Sequence, residues 1–158
     1  MVTQKDQEWV LLSYRLPREP STPRIAVWRK LKELGVVQVG DGLVALPHDA
    51  RNRERLEWVA SSVVEAAGDA VVWKATPSTR RYSRMLANQM SEARAAEYAD
   101  LIAEVGATTE VGRRTLNRLR RRWNNIDRRD YFRAPKRDEA LIAIRELATR
   151  AEIEATTP

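Results

Sequence analysis

The segment Gly40-Asp41-Gly42 constrains the fold of this chain more than any other feature. It separates two short runs of strand-forming residues, at positions 36–39 and 43–46. Glycine adopts positive φ without steric cost, so a short glycine-rich connection between two such runs is typical of a β-hairpin. We therefore expect an antiparallel strand pair within the first 50 residues.

A strand and a helix are predicted before this hairpin. Residues 9–16 are rich in strand-forming types, and Pro17 ends the run. Thr22 is the predicted N-cap of a helix, with Pro23 at its first position. Gly35 ends that helix in the usual role of a C-terminal glycine.

A second helix and a fourth strand are predicted after the hairpin. Asp49 is expected to cap the helix and Gly68 to end it, and residues 70–73 have the composition of a strand. The order β-α-β-β-α-β predicts a ferredoxin-like unit over residues 8–76. Such a unit has a four-stranded antiparallel sheet with two helices on one face.

Four tryptophans lie within this predicted unit. Trp28 and Trp73 are expected in core or half-core positions. Trp9 and Trp58 are expected at the edge of a layer, where a ring with one polar group is well accommodated.

The second half of the chain has helical periodicity. A broad apolar stripe predicts one helix over residues 78–105, with a break at Gly106. Thr108 or Thr109 is the expected cap of the next helix, and a last helix is expected from about Asp138.

Residues 77–154 are therefore expected to form an extension of about three helices packed on the first unit, which makes the fold α+β. The two helices on either side of Gly106 form either a helix-turn-helix or a plain antiparallel hairpin.

Composition excludes several classes of function. The 158 residues include no Cys and one His, so a disulfide framework, a Cys nucleophile, a thiolate zinc site and a His-rich metal site are excluded. The sequence shows no glycine-rich phosphate loop and no paired carboxylates placed for acid–base catalysis. It has neither an apolar stretch of about 20 residues nor an apolar signal core. We expect a non-enzymatic, cytoplasmic protein without a metal, a cofactor or a membrane partner.

The positive charge is concentrated in the middle of the chain. The net charge is +6 overall, but residues 78–137 alone carry +8, almost all of it arginine. Arginine binds phosphate and other oxyanions through bidentate contacts, so a polyanionic partner is expected.

An arginine-rich helix around residues 113–129 concentrates this charge. Leu116, Leu119 and Trp123 cluster on one side at 100° per residue, and the arginines lie opposite and beside them. Such a ridge suits contacts with DNA phosphates. The predicted DNA-binding residues are Arg113, Arg114, Arg118, Arg121, Arg122, Arg128 and Arg129.

A structural role for the same arginines stays open. They can instead pair with acidic residues of neighbouring helices, for which Glu92, Glu97 and Glu146 are the candidates.

A second basic group lies where the first strand ends, near the N-terminus of the first helix. Helix N-termini attract anions through free N–H groups. Arg15, Arg18 and Arg24 are the predicted oxyanion-binding residues, and surface solvation of the same residues is the alternative.

Two stretches of the chain resemble the N-terminal region of ChrB-type chromate-resistance proteins. The first begins Trp9-Val10-Leu11-Leu12-Ser13-Tyr14-Arg15-Leu16-Pro17-Arg18-Glu19-Pro20 and continues with Val27-Trp28-Arg29-Lys30-Leu31-Lys32-Glu33-Leu34-Gly35. The second is Leu116-Asn117-Arg118-Leu119-Arg120-Arg121-Arg122 with Arg128-Arg129-Asp130-Tyr131-Phe132-Arg133-Ala134-Pro135, and Ala93-Arg94-Ala95-Ala96-Glu97-Tyr98 also fits.

The resemblance implies a bacterial, chromate-responsive transcriptional regulator that binds DNA. Longer members of the family carry a second, C-terminal chromate-resistance domain. The expected partners are DNA and chromate or a similar oxyanion, and a homodimer is an open option. The alternative is a protein-interaction module whose basic surface docks an acidic partner, such as a separate chromate-resistance domain.

Overall fold

The computed structural model describes residues 6–157 and shows an α+β fold with four strands and five helices. Each element takes its name from its order in the chain. The elements are β1 (Trp9–Arg15), α1 (Thr22–Leu34), β2 (Val37–Gly40), β3 (Leu43–Pro47), α2 (Ala50–Glu65), β4 (Asp69–Ala75), α3 (Arg80–Ala107), α4 (Arg113–Arg128) and α5 (Arg137–Thr156).

The four strands form one antiparallel sheet in the order β2-β3-β1-β4. β1 lies between β3 and β4 and is antiparallel to both, with Leu12 opposite Val44 on one side and Val72 on the other. The β-α-β-β-α-β order and this arrangement of strands are consistent with the predicted ferredoxin-like plan.

The predicted hairpin connects β2 and β3. Gly42 has a φ of 65°, and a Cβ added there would lie 2.4 Å from the carbonyl oxygen of Tyr14. The turn therefore needs glycine both for its backbone conformation and for its closeness to β1.

The helix caps agree in part with the sequence. Asp49 accepts a hydrogen bond of 2.6 Å from the backbone N–H of Asn52, as expected of an N-cap, and Gly35 ends α1 at a φ of 75°. Thr22 is the first residue of α1, and its N-cap is Ser21, whose side chain makes no capping hydrogen bond.

The tryptophan predictions were wrong. Trp9 is completely buried, and its indole donates a hydrogen bond of 2.6 Å to Ser83 Oγ. Trp28, Trp58 and Trp73 are 54%, 71% and 52% exposed. Trp28 follows the buried Val27 along α1, so its side chain points about a quarter-turn away from the core. There the Lys32 ammonium lies 4.3 Å from the centre of the Trp28 ring.

The described residues separate into two compact units, one ending at Asn88 and the other beginning at Gln89, so α3 contributes to both. The second unit has its own core, formed by one face each of α3, α4 and α5. Its buried residues are Tyr98, Leu101, Val105, Leu119, Trp123, Ile126, Ala134, Ala140, Ile144 and Leu147. Among residues 6–157, no helix combines the length and apolar character that a membrane span requires.

The boundary between α3 and α4 differs from the prediction. α3 continues through Gly106 to Ala107, and α4 begins only at Arg113, with Gly112 as its N-cap. The Thr108 hydroxyl donates a hydrogen bond of 2.8 Å to the Glu104 carbonyl. Its side chain therefore completes the end of α3 and does not cap α4.

Candidate nucleic-acid interface

α4 is a strongly amphipathic helix. Its 16 residues include seven arginines and one aspartate. Leu119, Trp123 and Ile126 are buried on one side, as their spacing of three to four residues in the sequence predicted. Burial of this stripe fixes the rotation of the helix and turns most of its arginines outward.

One flank of α4 is neutralised by carboxylates of α3. Glu104 pairs with both Arg118 and Arg122 through its two carboxylate oxygens. Glu97 accepts hydrogen bonds of 2.9 and 2.6 Å from the two terminal nitrogens of Arg129, a bidentate pair. These three arginines of the predicted set are thus paired with carboxylates of the same chain.

The pairs also give the direction of the two helices. Glu104, near the end of α3, pairs with Arg118 and Arg122. Glu97, seven residues earlier on α3, pairs with Arg129, which follows the end of α4. α3 and α4 therefore run antiparallel, which matches the hairpin alternative.

The outer face of α4 carries the remaining arginines of the predicted set. Arg113, Arg114, Arg121 and Arg128 are exposed and make no ion pair or side-chain hydrogen bond with another residue of the range 6–157. Arg120, which the prediction did not include, is exposed in the same way.

A buried polar contact holds the segment after α4 in place. The Tyr98 hydroxyl donates a hydrogen bond of 3.1 Å to Asp130, whose carboxylate also accepts hydrogen bonds of 2.9 and 3.0 Å from the Ala134 N–H. Burial, followed by the charge of Asp130 and the hydrogen bond to it, raises the pKa of Tyr98 well above its ordinary value.

Arg137 ties the start of α5 to α4. Its Nε donates a hydrogen bond of 2.8 Å to Asp127 Oδ1, and its guanidinium lies 4.9 Å from the centre of the Trp123 ring. The Trp123 indole donates in turn to the Arg137 carbonyl at 3.1 Å. The hydrogen bond to Asp127 is the main reason that the pKa of Arg137 is raised.

Arg94 reaches the same carboxylate as Arg129. Its Nε lies 2.8 Å from Glu97 Oε1, close enough for an ion pair but without the alignment of a hydrogen bond. Burial lowers the pKa of Arg94, and the charge of Glu97 opposes that shift. Glu97 therefore neutralises two arginines, neither of which faces outward.

The sequence predicted one of the two α3 carboxylates, Glu97 and Glu104, that pair with these arginines. Glu97 was a candidate partner, whereas Glu104 was not, and Glu92 and Glu146 are exposed and make no ion pair in the described part of the chain. Glu104 lies inside the helix predicted over residues 78–105, but the sequence does not show which carboxylates of that helix come opposite α4.

The second basic group lines a cavity of about 740 Å³ beside the N-terminus of α1. Arg15 and Arg24 both contribute to its wall, together with Trp28 and Asp41. Arg18 is exposed and is not part of the wall. Two of the three predicted oxyanion residues thus share one cavity, which also contains a carboxylate.

Comparison with known proteins places the chain in a family. The family described as "Protein ChrB, N-terminal" matches residues 24–113, more than half of the 158 residues. Protein ChrB of Cupriavidus metallidurans strain CH34 is 29% identical over 99 residues, which cover 63% of this chain but only 30% of that protein. No solved structure gives a significant match. The family match extends from α1 to the first residue of α4, and on this evidence the chain belongs to the ChrB N-terminal family.

Proposed function

We propose that this chain is a non-enzymatic, DNA-binding regulator of a bacterial chromate-resistance system and that α4 is its DNA-contacting helix. The observation that carries the proposal is the outer face of α4, where Arg113, Arg114, Arg121 and Arg128 have no partner among the described residues. Membership in the ChrB family supports the chromate-resistance context.

The outward arginines suit a phosphate backbone better than a small ligand. Arg114, Arg121 and Arg128 follow one another at intervals of seven residues, or about 10.5 Å along the helix axis. A row of this length, on the order of 20 Å, spans about six base pairs at about 3.4 Å each. Contacts of this kind provide affinity and position the protein without reading the sequence.

The test is fluorescence anisotropy with a labelled duplex of random sequence across a series of KCl concentrations. Arg114→Ala plus Arg121→Ala is expected to weaken binding about tenfold or more. It should also reduce the slope of log affinity against log salt by about 2, since two phosphate contacts are lost.

The matched control removes two positive charges from the other unit. Arg29→Ala plus Arg51→Ala takes two exposed arginines from α1 and α2 and leaves α4 intact, so affinity and slope should change little. If both double variants lose the same affinity, the attraction comes from net charge and α4 is not the contact helix. If the unaltered chain shows no salt-dependent binding, the DNA-binding proposal fails.

Docking of an acidic protein is the second candidate function. Arg118 and Arg122 both pair with the carboxylate of Glu104. This flank of α4 can therefore bind acidic side chains, which favours an acidic protein as partner. The same titration separates the two functions, since an acidic-protein surface has no requirement for salt-dependent binding to random duplex.

Chromate is the proposed signal. Arg15 and Arg24 line one cavity, and guanidinium groups bind tetrahedral oxyanions through charge-assisted hydrogen bonds. The carboxylate of Asp41 in the same wall repels an anion. Binding of chromate in this cavity should therefore require both arginines.

A further inference from the structure

Two asparagines lie on the outer face of α4 between its arginines. At 100° per residue, Asn117 and Asn124 share one line along the helix. Arg114, Arg121 and Arg128 form a row on one side of this line, and Arg113 and Arg120 form a second row on the other side. All seven of these residues are exposed.

Neither asparagine caps the helix or forms a side-chain hydrogen bond in the described part of the chain. Both are inside the helix and not at a cap, and their side chains make no hydrogen bond with another described residue. Asn125 is different, because its side-chain oxygen accepts a hydrogen bond of 2.9 Å from Arg129. Asparagine also favours helices less than lysine, glutamate or glutamine does. Stability of the helix therefore does not account for Asn117 and Asn124.

The arrangement has the geometry of a helix seated in a DNA groove. In the major groove, the side chains on the line nearest the DNA axis meet base edges, and the side chains on either side meet the two phosphate backbones. Asn117 and Asn124 occupy the middle line, and arginines occupy both sides. The amide of asparagine offers a donor and an acceptor side by side, which match N6 and N7 of adenine.

We propose that Asn117 and Asn124 read adenines in the major groove, an inference that rests on the DNA-binding function proposed above. The two side chains are seven residues apart, or about 10.5 Å along the axis. Three base pairs rise by about 10 Å. The adenines that they contact should therefore be separated by three base-pair steps.

The experiment is selection from a duplex library with 20 randomised base pairs, followed by sequencing and by anisotropy titration of the enriched duplex. The unaltered chain should enrich two adenines with this separation. Asn117→Ala plus Asn124→Ala should bind random duplex with the same affinity and salt slope but should lose the enrichment, with about tenfold weaker binding to the selected duplex per adenine. Alanine favours helix, so the variant will fold.

Asn125→Ala is the matched control, because it removes the same group one position further along, and it should keep the enrichment. Replacing the two adenines by 7-deazaadenine removes the N7 acceptor and should weaken the unaltered chain but not the double variant. If the unaltered chain binds DNA without enriching any sequence, or if the double variant enriches the same adenines, base reading is wrong while DNA binding stands. If the unaltered chain binds no DNA, both proposals fall.

Discussion

Tyr98 is completely buried beside Trp123, with 6.5 Å between the ring centres, and its hydroxyl keeps a charged partner in Asp130. Asp130 in turn accepts from the Ala134 N–H just before α5. A single side chain of α3 thus stabilises the connection between α4 and α5. The hydrogen bond requires a protonated Tyr98, because the tyrosine is the donor.

Stability at alkaline pH should depend on this residue. The pKa of Tyr98 in the folded chain is raised above its ordinary value of about 10. The unfolded state therefore loses the proton first, and the stability that Tyr98 contributes is complete below pH about 10 and lost as pH rises towards the folded pKa. The loss is at most about 1.4 kcal/mol per pH unit for one group.

Tyr98→Phe separates this contribution from the rest of the fold. At pH 7 the variant should be about 1–2 kcal/mol less stable, because one hydrogen bond to a charged group is lost. Between pH 9 and 11 its free energy of unfolding should fall less steeply than that of the unaltered chain. Urea unfolding followed by circular dichroism at each pH measures both quantities, and parallel slopes would contradict the assignment.

The residues also show where sequence reasoning stops. Asp49 and Gly42 were predictable because a cap and a positive-φ turn are local requirements that one residue type satisfies. Thr108 or Thr109 was expected to cap α4, but the cap is Gly112. The Thr108 hydroxyl instead bonds back to α3, since such a hydroxyl can bond forward or backward along the chain. The exposure of Trp58 was not predictable, because an amphipathic ring fits both an interior edge and the surface.

At the scale of the helices, α4 has three faces: one is buried and apolar, one carries arginines paired with α3, and one carries exposed, unpaired arginines. The apolar stripe was predictable from spacing alone, because burial selects residues at 3–4 intervals. The division of the arginines was not, since it depends on which α3 carboxylates come opposite α4. Arg118, Arg122 and Arg129 are paired for this reason, although their positions in the sequence resemble those of their unpaired neighbours.

Glu104 should weaken the proposed contact with DNA, because it occupies two arginines and adds a negative charge beside the outer face. Glu104→Gln is expected to strengthen binding to random duplex about threefold to tenfold and to steepen the salt slope by up to about 2. The cost in stability should be small, since ion pairs of exposed arginines contribute about 0–1 kcal/mol.

Glu110→Gln is the control for this change. It removes the same charge from an exposed residue just before α4 that holds no arginine in the described part of the chain. Equal strengthening by the two variants would mean that Glu104 acts through its charge alone, and no strengthening by Glu104→Gln would mean that Arg118 and Arg122 lie away from the DNA.

At the scale of the whole molecule, the two units carry different charges and different candidate sites. Residues 1–77 have a net charge of only +1, whereas residues 78–137 carry +8. The cavity with Arg15 and Arg24 belongs to the unit that ends at Asn88, and the outer face of α4 belongs to the unit that begins at Gln89. A chromate-responsive regulator built in this way would bind its signal in one unit and its DNA in the other.

Chromate should then release the DNA by more than its ionic strength explains. Any added salt weakens phosphate contacts, so chromate is titrated into the complex of chain and labelled duplex beside KCl of equal ionic strength, with anisotropy as the readout. The unaltered chain should release more DNA in chromate than in KCl. With Arg15→Ala plus Arg24→Ala the two curves should coincide, because the cavity then has Asp41 but no arginine to hold a divalent anion. Coinciding curves for the unaltered chain would remove chromate sensing from this chain and leave its DNA binding intact, whereas a chromate effect that survives the double variant would place the oxyanion elsewhere.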